Sequence, residues 1–453
     1  MMMRYSVGSI GLAALLTSQS ALSQPNPAAP AAGPTAPATP PSTTPAAAPP
    51  EPVAPAPPAA STPAPAAAPA PAEKPAKPWY QRIEADAFVD AYAGINYNFP
   101  QPETQVAGTA VGGNQLRAFD VNNGFALQWA GIDVSYPADP AGATVALRFG
   151  PTADLVAGED AAHGLAFLKQ GFVSFRPGGE KGKFQLDFGK FDTFIGSEVA
   201  ESQLNMNYTR SILFQLAQPL FHTGFRADFA PNDVFDFKLF AVNGWNRTID
   251  NNAGKSFGAQ VGIKPVSELA AYVSYLGGPE EPDTVVCLPG TAFDRPSGAC
   301  APSTTATTTT IVPVADANSR WRHIVDLVLD VNPTKKLRFL ANADFVYQDL
   351  GASKVTWYGA NLGIGYQFVD LFGAALRGGY LGDPDGFASG TKDASIGDAT
   401  LTLALTPDPH LKFMLDNRID ASNKKLFQEK DVPGAATLQA TTTLGLIVTT
   451  GAP

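Results

Sequence analysis

The chain has 453 residues, of which 45% are hydrophobic and only 16% charged, with 42 Gly, 41 Pro, 4 His and 2 Cys. Its apolar residues never run to the roughly 20 in succession that a membrane-spanning helix needs, which excludes a helical membrane bundle. A net charge of −10, from 31 basic and 41 acidic residues, argues against the basic face of a nucleic-acid binder.

Residues 1–23 read as a secretory signal. Arg4 supplies the positive start, Val7 to Leu16 a short apolar run, and Ala21-Leu22-Ser23 the small residues before a cleavage at Gln24. No Cys follows that site, so a lipoprotein is disfavoured, and export places Cys287 and Cys300 in an oxidising compartment. Residues 24–78 hold 20 of the 41 prolines, interleaved with Ala. Such a segment buries no core and favours extended, solvated conformations. We expect a disordered periplasmic linker, either a plain spacer or a tether to the cell wall or a periplasmic partner.

From 79 to 453 the hydrophobic period is two. In Ala87 to Phe99 the odd positions are apolar and the even ones mixed or polar, and the same alternation recurs at Phe184/Leu186/Phe188, Phe257/Ala259/Val261/Ile263 and Tyr358/Ala360/Leu362/Ile364/Tyr366. Sixteen strands follow: 84–99, 123–136, 143–150, 165–176, 182–190, 221–230, 233–243, 255–264, 268–276, 319–332, 335–348, 353–368, 371–381, 396–406, 409–420 and 436–449. Links after the even-numbered strands are 2–6 residues, and those after the odd-numbered strands 11–42 residues, except for four residues at 349–352. Strict alternation of short turns with long loops marks an outer-membrane barrel rather than a soluble sandwich. Aromatics bound the apolar band, with Tyr97, Phe99, Phe149, Tyr347, Tyr358 and Tyr380 at the loop end and Tyr136, Phe175, Phe229 and Phe368 at the turn end. The expected fold is all-β, a transmembrane antiparallel barrel of about 16 strands (14–18), inserted into outer-membrane lipid by the barrel-assembly machinery. The C-terminal Val448-Thr449-Thr450-Gly451-Ala452-Pro453 carries no terminal aromatic, so the insertion signal is expected to be weaker or placed elsewhere.

The alternate residues then face inward, among them Asp90, Asn96, Arg148, Gln185, Asp187, Arg226, Gln260, Arg320, Arg322, Asp326, Asp330, Arg338, Asp344, Arg377, Lys412, Asp416 and Arg418. Charges of both signs suit a water-filled lumen, which sixteen to eighteen strands leave. The third long loop, 191–220, is too apolar to extend into water; short helical turns are expected at Ala200–Leu204 and Ile212–Leu216. It either folds into the barrel and narrows it, placing Asp192, Glu198, Glu201 and Arg210 at a constriction, or packs on the wall or a neighbouring subunit with no role in selectivity. Arg148, Arg226, Arg377 and Arg418 complete the candidate constriction and favour anions, whereas the acidic balance favours cations.

Gly189-Lys190-Phe191-Asp192, Glu198-Val199-Ala200-Glu201-Ser202, Asn205-Met206-Asn207-Tyr208-Thr209-Arg210-Ser211, Gln218-Pro219-Leu220-Phe221-His222-Thr223-Gly224 and Val242-Asn243-Gly244-Trp245-Asn246 resemble the OmpL-like putative β-barrel porin-2 family of bacterial outer-membrane proteins. The resemblance covers roughly 84–449 and implies a porin-type barrel. It adds little about the solute.

Cys287 and Cys300 share the loop 277–318 and are expected to form a disulfide closing a surface lobe. An outer-membrane hydrolase is the enzymatic alternative, since His163 and His222 lie near Ser197, Ser202 and Ser211. The G-x-S-x-G elbow is missing, however, and we expect no enzyme, cofactor, metal site or nucleic-acid partner. The expected function is a passive channel for small hydrophilic solutes or ions, with a homo-oligomer such as a trimer among the expected partners. The alternative is a non-conducting structural or surface-binding barrel, plugged by 191–220.

Overall fold

The computed structural model describes residues 78–451, apart from 103, 107–108, 112, 118, 295–298, 304 and 306. The expected signal at 1–23 and the Pro/Ala segment up to 77 lie outside the described residues. Sixteen strands form the barrel: β1 (Glu84–Asn96), β2 (Gly124–Tyr136), β3 (Ala141–Phe149), β4 (Leu168–Phe175), β5 (Phe184–Asp192), β6 (Phe221–Phe229), β7 (Phe235–Val242) and β8 (Ser256–Val266). They continue as β9 (Leu269–Pro279), β10 (Trp321–Thr334), β11 (Leu337–Asp349), β12 (Lys354–Val369), β13 (Phe372–Asp383), β14 (Ala394–Asp408), β15 (Leu411–Ser422) and β16 (Leu438–Thr449).

Every strand pairs antiparallel with its neighbours in chain order, and β16 closes on β1 with Phe88 opposite Thr449 and Asn96 opposite Thr441. Closure pairs the strand edges, which hydrocarbon would otherwise leave without partners. The period-two pattern sets the two faces. On β10, Val325, Leu327 and Leu329 stand exposed on the outer face, while Ile324, Asp326 and Val328 are buried inside. At the loop end of that outer face, His323 is ringed by Trp321, Tyr275 and Tyr347, with the Tyr275 hydroxyl 2.8 Å from His323 Nδ1. Amphipathic rings of this kind sit where lipid meets water.

Short turns occupy one end of the barrel and long loops the other. The turns are made by local side-chain bonds; Asn232 Oδ1, for example, accepts from the amides of Val234 and Phe235 at 2.9 and 3.0 Å. Both β1 and β16 meet the turn end with their terminal residues. In an outer-membrane barrel that end faces the periplasm. The long loops carry structure of their own. Residues 151–157 form helix α1 (Pro151–Ala157), which the strand pattern does not reveal, and residues 212–217 form helix α2 (Ile212–Ala217). Ser211 caps α2, its side chain accepting from the Phe214 amide at 3.2 Å. Ser202–Leu204 form a 3-10 turn within the expected 200–204 stretch. Loop 280–320 folds into two small hairpin pairs, Thr284–Cys287 with Thr310–Pro313 and Thr291–Asp294 with Ala299–Pro302, joined by the disulfide Cys287–Cys300.

Candidate functional site in the barrel lumen

The loop between β5 and β6, residues 193–220, lies inside the barrel rather than over it. Its ends are tied by side chains from the sequence stretch that follows. His222 reaches Thr193 Oγ1 at 2.8 Å through Nε2 and the Gly244 carbonyl at 2.9 Å through Nδ1, so Nδ1 carries the hydrogen. Asn246 Oδ1 accepts from the amides of Leu220 and Phe221 at 2.5 and 3.3 Å. The Asn246 bonds satisfy two backbone donors at the far end of a buried segment, and the His222 bonds hold its near end through the Thr193 side chain.

The body of the loop meets walls on opposite sides. Arg148 on β3 donates to Glu201 at 2.7 Å, and eight strands round the ring Asn342 and Asp344 on β11 accept from Gln218 Nε2 at 2.8 and 2.6 Å. Asn342 also accepts from the Ser197 amide at 3.1 Å. Between these walls, Asp416 on β15 accepts from the Thr209 amide and hydroxyl, both at 2.8 Å. The Tyr208 hydroxyl lies 2.8 Å from Asp90 on β1 and 2.6 Å from Gln128 on β2. The loop therefore crosses the lumen.

Its charges are matched with those of the wall. Glu201 bridges Arg148 and Lys169, each at 2.7 Å, and Lys169 also pairs with Asp192 at 2.7 Å. Burial pushes Glu201 up, but Lys169 and Arg148 together outweigh it and hold its carboxyl at about 2. Glu198 pairs with Arg377 at 2.7 Å and accepts from the Ser211 amide at 3.0 Å; Arg377 also reaches Asp398 at 3.3 Å. Arg210 turns back on its own loop, donating to Val199 O, Ala200 O, Ser202 Oγ and Tyr208 O, with its guanidinium 4.0 Å above the Phe119 ring. Arg418 binds Asp420 at 2.7 Å and the Arg210 carbonyl. Arg226 stands apart from this group, paired with Asp187 at 2.5 Å.

The wall arginines are thus no free ladder. Arg148, Arg377 and Arg418 are at most 3% exposed, each facing a carboxylate. A wide wet lumen expected from inward charges gives way here to a packed polar layer, because the loop brings counter-charges into contact with them. Toward the loop end this layer borders an apolar cluster that includes Phe194, Ile195, Leu213 and Leu216 from the loop and Phe240, Leu276, Ile324 and Trp357 from the wall, with Phe194 stacked on Phe240 at 3.5 Å between centroids. His222, Ser202 and Ser211 are engaged in the anchoring bonds described above and with Asp90 and Glu198, not with one another.

Residues 82–449 match the family described as putative beta-barrel porin-2, OmpL-like. The chain belongs to this family. No curated protein matches the sequence. Among solved structures, similar folds include an anion-selective porin from Comamonas acidovorans (9% identity, TM-score 0.49, 81% of this chain and 99% of that one). OprB of Pseudomonas putida gives 12% identity and TM-score 0.48 over 82% and 94% of the two chains. The outer-membrane channel DcaP of Acinetobacter baumannii gives 10% and 0.48 over 81% and 96%.

Membership of the porin-2 family places the barrel in the outer membrane and points to a channel rather than an enzyme. The motif stretches 198–211, 218–224 and 242–246 of this porin-2 barrel meet in space, as the loop, its landing strand and its anchor. Lys169, Asp90, Asp398, Asp416, Tyr208 and, from loop 97–123, Arg117 paired with Asp420 at 2.5 Å join the site without having been singled out as constriction residues. Asp398 obeys the same inward alternation as Arg148 and Arg377, so the pattern contained it. Lys169 sits at a bulge where the pairing with β3 slips between Ala146 and Leu147, so alternation with the outward Val173 and Phe175 would have placed it on the outer face. Tyr208 and Arg117 lie in loops, where no alternation exists.

Proposed function

We propose that this protein is a passive outer-membrane channel for small hydrophilic solutes or ions, with loop 193–220 narrowing its bore at Asp192, Glu198, Glu201 and Arg210 against Arg148, Arg377 and Arg418. The observation that carries the reading is the span of the loop from Arg148 on β3 to Asn342 on β11. A segment held at both walls divides the lumen, and fixed charges at such a waist select by size and charge. Residues 1–23 serve as the export signal, 24–78 as a periplasmic linker to the barrel of 79–453, and barrels associate as homo-oligomers.

The depth of burial of the paired charges favours a second reading, a barrel closed at rest by its own loop. Single-channel recording of refolded protein, with and without residues 196–214, separates the two. Stepwise conductance that grows on deletion supports the channel. A silent full-length barrel whose deletion variant conducts means a closed plug. Silence from both folded forms, or equal conductance, overturns the proposed narrowing.

A further inference from the structure

We infer that the cavity on the turn side of loop 193–220 is a binding site for small polyvalent anions, of the phosphate or di- and tricarboxylate class. The cavity measures about 410 Å³ and is floored by Gln203, Asn205 and Met206 of the loop. The inference deepens the channel reading by naming its solute class, and rests on it for transport but not for binding.

Charge carries the argument. The whole chain bears −10, yet the basic side chains lining this cavity are Lys335, Lys336, Arg338, Lys412 and His410, and no Asp or Glu lines it. They arrive from separate places: the two lysines from the β10–β11 turn, Arg338 from β11, and Lys412 from β15. Arg338 is paired with Asp330 at 2.8 Å. Lys412 donates to the Gln203 carbonyl and Lys336 to the Phe368 carbonyl, both at 3.1 Å. A carbonyl takes one of an ammonium's three hydrogens and none of its charge. Among the described residues Lys335, Lys336 and Lys412 form no ion pair. Of the nearby carboxylates, Asp330 is paired with Arg338, while Asp408 and Asp416 stand outside the lining and touch no lysine of the chamber, Asp416 acting on Lys412 only from a distance.

Several uncompensated cations around one concave, low-dielectric chamber concentrate the field and raise the local concentration of anions. A half-buried ammonium such as Lys412, with no carboxylate in contact, gains most from a ligand bearing more than one negative oxygen. At about 30 Å³ per water, the space holds such an anion with part of its hydration shell. In the loop layer above, Arg148, Lys169, Arg377 and Arg418 each already face a carboxylate, whereas the cations of this chamber other than Arg338 do not.

The test is isothermal titration of the refolded full-length protein with sodium citrate and with inorganic phosphate at constant ionic strength, with chloride as the reference. We expect citrate to bind more tightly than phosphate and chloride to give no saturable heat. Lys335→Glu/Lys336→Glu should weaken citrate binding at least about tenfold, with Lys335→Gln/Lys336→Gln intermediate. Both exposed turn variants should keep the heat-modifiable folded band, which removes misfolding as an explanation. No saturable binding to the wild type, or unchanged affinity in the Glu pair, overturns the inference. Bilayer recordings with citrate on the turn side distinguish the two failures. Anion binding without conductance removes the channel reading and leaves the site, whereas conductance indifferent to citrate, with no calorimetric binding, removes the site and leaves the channel.

Discussion

The ring of Tyr208 lies so close to the backbone of Gly445 that a β-carbon there would stand 2.2 Å from its Cδ2 and Cε2 atoms. The loop is therefore seated on a glycine of β16, and its hydroxyl is aimed past that glycine at Asp90 and Gln128. Gly445→Ala is expected to destabilise the folded barrel by about 1–3 kcal/mol through overpacking. In a Tyr208→Ala background the same change should cost much less, since the clash has no second partner. Urea unfolding of the four members of this cycle measures the coupling, and additive effects would mean that the loop is not seated there.

Glu201 is the hub of the Arg148–Glu201–Lys169–Asp192 chain. Replacing it with Gln leaves two buried cations one carboxylate short, and about 3 kcal/mol of stability should be lost. The pH dependence has a defined sign. With the carboxyl held at about 2 against an ordinary 4.5, its contribution is complete above pH 4.5 and disappears as pH falls through 2. Acid unfolding followed from pH 5 to 2 should show that decline in the wild type and a flatter profile in Glu201→Gln.

The barrel was legible because a lipid-facing surface makes every second residue of a strand apolar, as in Val325, Leu327 and Leu329, and because turns and loops differ so sharply in length. The lumen was less so. Alternation identifies Arg148 and Arg377 as inward but says nothing of Glu201 and Glu198, which meet them from 53 and 179 residues away. It puts Phe88 and Tyr92 on the same inward face as Asp90 but does not reveal that they and Trp129 lie buried; an aromatic inside a barrel makes sense only once a loop fills the space beside it. Arg226 looked equivalent to the other arginines by pattern, yet Asp187, directly across from it on β5, keeps it from the loop.

The disulfide Cys287–Cys300 closes a local lobe, with 13 residues of separation and both cysteines inside loop 280–320. A closure of that size contributes about 3 kcal/mol, by the chain-entropy estimate, to the order of the lobe. None of the sixteen barrel strands depends on it. Reduction should therefore leave the heat-modifiable band of the barrel unchanged while accelerating protease cleavage within 280–320. A barrel that unfolds on reduction would show that the lobe braces the strands.

Glu280 gives the loop end a second pH response, opposite in sign to that of Glu201. It sits at the base of loop 280–320, accepting from the Trp245 amide and the Ser256 hydroxyl, each at 3.1 Å. Burial raises its carboxyl to about 7 from 4.5, against the pull of Arg322 and these hydrogen bonds. A raised value means that the folded state holds the proton more tightly than the unfolded chain. Its stabilisation is complete below pH 4.5, fades as pH rises to 7, and is flat beyond, with a span of about 3 kcal/mol at most. Because Glu280 holds Trp245, whose neighbours Gly244 and Asn246 anchor the two ends of loop 193–220, the same titration should loosen that anchor. Glu280→Gln, which keeps an acceptor oxygen for the Trp245 amide and cannot ionise, should remove the decline between pH 4.5 and 7. Trp fluorescence and unfolding midpoints across that window would reveal it, and an identical pH profile in wild type and variant would exclude Glu280 as the source.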